Sequence, residues 1–143
     1  MSIPSETVAE LVSGVLESLA YADVTVGSAP FDWSQPGLAW AEIRLDAPRS
    51  DHMTLALAEP LAGQLVDDAL GGVPPELIAA AIPDFMGELS NTLAGVLLAR
   101  LHPGEPIVLG LPETGRGPRA VPAGQTYTFD VEGLSLGVTL RAA

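Results

Sequence analysis

Cysteine and lysine are both missing from the 143 residues of this chain, and histidine occurs only twice. Without cysteine there is no disulfide framework, no thiol nucleophile and no Cys-built zinc or iron–sulfur site. His52 and His102 stand 50 residues apart, which argues against a His-rich centre, so the chain is expected to hold no metal of its own. All six basic residues are arginines, and they face eighteen acidic ones, for a formal charge of −12. A field of that sign repels nucleic acid and anionic lipid surfaces, and no basic patch offsets it. No apolar run approaches membrane-spanning length, and the opening MSIPSETVAE lacks the basic start of a signal peptide. The expectation is a cytoplasmic protein that binds neither nucleic acid nor membrane, with a partner surface that offers basic groups or a bound cation.

What the chain does have is apolar surface to bury. At 48% hydrophobic residues it is far from the composition of a disordered chain, and its length suits one domain over residues 1 to 143 with one real core. After Ser5, Val8, Leu11, Val12, Val15, Leu16 and Leu19 recur at spacings of three and four, which predicts an amphipathic helix capped by Ser5. A short strand and a Pro/Gly-punctuated loop follow in DVTVGSAPFDWSQPG. LAWAEIRLD alternates, with Ala39, Ala41, Ile43 and Leu45 on one side and Trp40, Glu42, Arg44 and Asp46 on the other, a strand with one wetter face. DAPRSD reads as a turn and HMTLALA as the antiparallel partner. EPLAGQLVDDALGG predicts a short helix with Leu61, Leu65, Val66 and Leu70 inward, ended by Gly71 and Gly72. A long helix starts at Pro74 and Pro75 and stops before Pro103 and Gly104; Pro83 within it predicts a kink or a restart. IVLGLPETG, TYTFDVEG and LSLGVTLRA read as three strands, and RGPRAVPAG between the first two as the most mobile loop. The fold class is α/β in the α+β sense: a largely antiparallel sheet packed against two long helices and one short one, with the other sheet face or an edge open to a second subunit.

The long helix has two unlike sides. Ile82, Phe85, Leu89, Leu93, Val96 and Leu97 form one stripe and are expected inside, with Arg100 continuing it at the last turn. Nearly opposite stand Asp84, Glu88, Asn91 and Gly95, within about 60° of one another at about 100° per residue. Asn91 is the only asparagine in the chain and a poor helix former, because its amide competes with the backbone. Gly95 costs a helix interior about 1 kcal/mol relative to alanine and opens space beside Asn91 for another backbone. No lysine or arginine lies four residues from Glu88, so no helix-stabilising ion pair accounts for it, and Asp84 repels it mildly. From residue chemistry alone three readings stay open: a solvated face, a protein-contact face, and catalysis.

The longer stretch DFMGELSNTLAG, residues 84 to 95, resembles the signature helix of the CheC/CheX/FliY family of chemotaxis phosphatases. That motif, an Asp or Ser, three residues, Glu, two residues, Asn, then commonly Ala-Gly, falls on Asp84, Glu88, Asn91, Ala94 and Gly95. LAWAEIRLD, AEPLAGQLVDDALG and IVLGLPETGRG look like the family's surrounding strand, small helix and Leu-Pro strand, so the resemblance covers roughly residues 5 to 140. One motif rather than two makes the single-motif CheX branch the nearest, and Pro83 departs from the pattern just ahead of Asp84.

The resemblance implies an enzyme of two-component signalling, a protein phosphatase that hydrolyses the aspartyl phosphate of a CheY-like response-regulator receiver domain. Glu88 would reach the receiver's invariant lysine, Asn91 would orient the attacking water, and Asp84 and Gly95 would contact the partner. The Mg2+ that the reaction needs would sit in the receiver's own acidic pocket, so this chain would bind no cofactor. The CheX branch also implies a homodimer, through sheet edges. Two other functions share the fold: a catalytically silent receiver-binding adaptor and a flagellar-switch-like structural subunit.

Overall fold

A computed structural model describes residues 3 to 48, 50 to 72 and 74 to 142, the side chain of Ala142 excepted. Helix α1, Ser5–Ala20, buries Val8, Val12, Val15, Leu16 and Ala20 along one stripe, the arc that its valine and leucine spacing predicts. Its cap differs from the expected one. Ser5 is already helical, and Pro4 takes the cap position, its carbonyl accepting from the N–H groups of Thr7 and Val8 at 3.0 and 3.2 Å. Proline suits that place because it has no N–H to leave unpaired and a preset φ. At the other end Tyr21 turns left-handed, at φ 55°, and directs the chain into β1, Val24–Val26.

Strand β2, Ala39–Ala47, buries Ala39, Ala41, Ile43 and Leu45 and turns the alternate residues outward. β3, Asp51–Leu57, returns antiparallel with Ile43 opposite Met53. The turn between them contains a cis Ala47-Pro48 bond, while Arg49 of the same predicted turn lies outside the described residues. The expected strand IVLGLPETG is two short pieces, β4, Val108–Leu109, and β5, Glu113–Arg116. Both pair with the outer edge of β2. The break falls where Pro112 has no N–H for a ladder. β6, Gln125–Val131, and β7, Leu134–Ala142, form a hairpin through Glu132 and Gly133. Their φ values of 52° and 84° are those of a two-residue turn whose twist matches the strands. The sheet order is β1-β6-β7-β3-β2-β4, with β5 also on β2, and the pairings are antiparallel.

The three helices share one face of this sheet. Met53, Leu55, Leu57, Tyr127, Phe129, Val131, Leu136 and Val138 point into them and complete the core. The opposite face, expected to be open, is partly covered by the chain itself. Phe31 and Trp33 meet edge to face at 4.9 Å and pack with Leu38, Ala56 and Trp40. Two glycines make room for them: a Cβ on Gly137 would lie 2.6 Å from the Phe31 ring, and one on Gly115 would lie 2.3 Å from Cζ2 of Trp40.

Arg119 closes this layer. Its guanidinium lies 4.6 Å from the Trp40 ring centroid and donates to Glu42 at 3.1 Å, and its backbone N–H donates to the Trp33 carbonyl at 2.9 Å. The loop read as the most mobile is therefore anchored at its middle. Gly115→Ala must push the Trp40 ring off its seat and away from Arg119. It is expected to cost about 1–3 kcal/mol, seen as a lower urea midpoint with altered tryptophan emission; a variant as stable as the parent would show that nothing presses on this ring.

α2, Glu59–Leu70, buries Leu61, Ala62, Leu65 and Val66. Leu70, expected inward, is 57% exposed, because it ends the helix next to the left-handed Gly71, beyond the reach of the core. α3, Pro75–Leu101, runs 27 residues and does not restart at Pro83. Pro83 leaves the carbonyl of Ala79 without an intrahelical donor, but both residues are exposed, so water can serve that acceptor.

Candidate functional site

α3 is held along its length by the sheet beneath it and by α1 and α2 beside it. Its buried stripe is broader than the one read from periodicity: Met86, Ser90, Ala94 and Leu98 join Ile82, Phe85, Leu89, Leu93 and Leu97. Val96, placed inside by the pattern, is 37% exposed. It lines an open groove toward α1, with Leu11, Gly14 and Leu19 on the far wall and Thr92 beside it. The arc shifts because packing comes from two directions, the sheet and the neighbouring helices, and a one-helix pattern reports neither.

The opposite arc is left to solvent. Asp84, Glu88 and Asn91 are exposed and Gly95 is half-buried, so the structure brings the four sequence-derived positions onto one outward face. Glu88 and Asn91 stand three residues apart, about 60° around the axis and about 4.5 Å along it. Their Cβ atoms are neighbours, and the helix beneath them is held in the core by Leu89 and Leu93. The carboxylate and the carboxamide are thus presented side by side from a rigid support.

Neither acid is neutralised. Among the described residues Asp84 and Glu88 have no ion-pair partner within 4.0 Å and Asn91 has no hydrogen-bond partner, although other carboxylates do capture arginines: Asp46 takes Arg44, Glu10 takes Arg100, Glu59 takes Arg116 and Glu42 takes Arg119. Glu88 is free to receive a cation from outside, and the Asn91 amide can both donate and accept. Gly95 belongs to the same picture. A Cβ there would meet nothing within 4 Å, so no packing among the described residues demands glycine or offsets the helix penalty of about 1 kcal/mol.

Asp84, Glu88 and Asn91 project from the exposed face of a helix. Two exposed side chains on a helix cannot enclose a small substrate, but they can enter a pocket on another molecule. A cavity of about 360 Å³ does exist, lined by Leu97, His102, Tyr127 and Arg141 among others, yet it lies around the far end of α3. No group of three or more His, Cys, Asp or Glu side chains that could hold a metal occurs among the described residues. The histidines are occupied elsewhere, His102 beside Glu105 at 3.1 Å and His52 near Glu42 at 3.9 Å.

Sequence reasoning missed one neighbour of this face, the turn between β4 and β5. Pro112 packs against α3, its Cγ 3.6 Å from where a Cβ on Gly87 would stand. The Leu-Pro interruption of the strand pattern was its only signal, and it gives no hint of which helix it meets.

No protein-family model and no curated protein matches this sequence. Solved structures do match its fold. The chemotaxis protein CheX from Desulfovibrio desulfuricans superposes with a TM-score of 0.78 at 16% identity, covering 97% of this chain and 98% of that one. A CheC-like superfamily protein from Shewanella sp. PV-4 gives 0.73 at 19%, with 99% and 98% covered. A chain of the CheX–CheY–BeF3–Mg2+ complex from Borrelia burgdorferi gives 0.72 at 12%, with 95% of each covered. The mixed α+β fold with an antiparallel sheet is therefore the one found in CheC- and CheX-like proteins.

Proposed function

We propose that this chain, which shares the fold of CheC- and CheX-like proteins, is a phosphatase acting on the phospho-aspartate of a response-regulator receiver domain, of the single-motif CheX kind. The observation that carries the reading is the pair Glu88 and Asn91, exposed, adjacent and without partners among the described residues. The matched complex from Borrelia burgdorferi, which joins a CheX to a CheY with BeF3 and Mg2+, supports a receiver domain as the partner class.

In this mechanism α3 enters the receiver's phosphorylated pocket. Glu88 pairs with a lysine there and fixes the helix. Asn91 accepts a hydrogen bond from a water and donates one of its own, holding the water in line with the phosphorus opposite the aspartyl oxygen. Attack forms the new P–O bond as the acyl P–O bond breaks, releasing inorganic phosphate and restoring the carboxylate. Positioning and charge stabilisation carry most of such a transfer, so no nucleophile from this chain is required. The Mg2+ belongs to the receiver. α3 does not restart at Pro83, which keeps Asp84 on the same face as Glu88, at the edge of the contact. The chain acts as a cytoplasmic homodimer in this reading.

The test is hydrolysis of receivers phosphorylated by acetyl phosphate, with and without this chain. Accelerated phosphate release is expected for the cognate receiver, and rates unchanged across the candidate receivers would end the assignment. Glu88→Ala is expected to weaken binding to a beryllofluoride-loaded receiver by about tenfold or more, the value of a hydrogen bond to a charged group. Unchanged affinity by titration calorimetry would remove Glu88 as the anchor.

A further inference from the structure

Leu111 is the most exposed large apolar side chain among the described residues, at 94%. Single exposed leucines are ordinary, so exposure by itself says little. Position and rigidity say more. Leu111 sits in the short turn between β4 and β5, which both pair with the edge of β2. The N–H of Gly110 donates to the Arg44 carbonyl at 2.7 Å, fixing the residue before it. The ring of Pro112 fixes the residue after it and rests on α3 at Gly87. A leucine is thus held out into water by a braced turn, with no side chain among the described residues covering it.

The turn adjoins the face that carries Glu88 and Asn91. Gly87 directly precedes Glu88, and Leu111 is one Cα step, about 3.8 Å, from the proline that touches Gly87. A globular partner that takes Glu88 and Asn91 into a pocket typically buries about 800 Å² on this side, a disc of about 16 Å radius around the pair. The path through Pro112 and Gly87 places Leu111 within about 16 Å of Glu88, at the rim of that disc or inside it.

Resting on the phosphatase reading above, we propose that Leu111 is a second anchor for the receiver domain. It enters an apolar recess beside the phosphorylated pocket while the acid and the amide enter the pocket itself. The division of labour follows from chemistry. An isobutyl group has no polar atom for the reacting phosphoryl group, so it contributes to association and not to the chemical step.

The experiment is steady-state dephosphorylation of the cognate receiver by the full-length parent, Leu111→Ala, Leu111→Asp and Asn91→Ala, with urea midpoints and sedimentation for each. Leu111→Ala is expected to raise KM by about five- to tenfold and Leu111→Asp by more, the size of a hot-spot truncation, with kcat within about twofold. Folding and mass should not change, since the side chain is 94% exposed. An unchanged KM for both Leu111 variants, while Asn91→Ala abolishes turnover, overturns the anchor and leaves the phosphatase reading intact. Leu111→Asp falling from dimer to monomer with KM unchanged gives the residue to a second copy of this chain and also overturns it. A parent that accelerates no receiver's hydrolysis overturns the phosphatase reading, and the anchor with it.

Discussion

Asn91→Ala is expected to reduce accelerated receiver dephosphorylation by about 100-fold or more, the scale of losing one well-placed polar group that acts on the transition state. In the proposed mode binding should survive, because Glu88 and the surrounding surface would still reach the partner. Stability should hold or rise slightly, since Asn91 is exposed and alanine is favoured over asparagine by several tenths of a kcal/mol in a helix. That combination separates chemistry from folding. Phosphate release under saturating phosphorylated receiver measures the first and thermal unfolding the second. Equal kcat for variant and parent would sink the role given to the amide. So would a rescued rate in Asn91→Asp near neutral pH, because a carboxylate accepts hydrogen bonds but cannot supply the amide's N–H.

Two residues away the same substitution should have the reverse outcome. Leu89 is 2% exposed and packs into the core beneath the site. Leu89→Ala deletes buried carbon in a helix clamped between the sheet and its neighbours, where relaxation is limited, and is expected to cost about 2–5 kcal/mol. For a domain whose whole stability is about 5–15 kcal/mol, much of the margin would go. Denaturant titration should show the midpoint fall with little change in slope, while turnover per folded molecule stays near that of the parent. If stability were unaffected, α3 would not be held by this contact. If kcat fell as far as in Asn91→Ala with the fold intact, the rigid presentation of Glu88 and Asn91 would depend on Leu89 more than on the rest of the helix.

The contrast between these neighbours shows how much of the site could be read early. A helix turns by about 100° per residue, so the offsets of Asp84, Glu88, Asn91 and Gly95 place them on one arc whatever surrounds them. The outward direction of that arc follows from Phe85, Leu89 and Leu93 on the other side. Strand β2 was legible for the same reason: alternation assigns Ile43 and Leu45 to one face and Arg44 and Asp46 to the other without knowledge of any partner strand. Val96, Leu70 and Ser90 were not legible. Val96 lies on the apolar arc but faces a groove, Leu70 runs off the end of the core, and Ser90 is a polar residue buried with no hydrogen-bond partner among the described residues.

By itself the amino-acid sequence determined most of the element types, the inward stripe of α1, the alternation of β2, and the pairing of an acid and an amide on one helical face. These are short-range consequences of backbone geometry and hydrophobic periodicity. Only the tertiary structure decided how wide the buried arc of α3 is, that Arg119 seals Trp40 against Gly115, and that the turn bearing Leu111 stands next to Gly87. Those contacts join segments far apart in the chain, and they depend on which strand edges pair and which helices share a sheet face. No local pattern encodes such choices, because their free energy exists only once the distant partner has arrived.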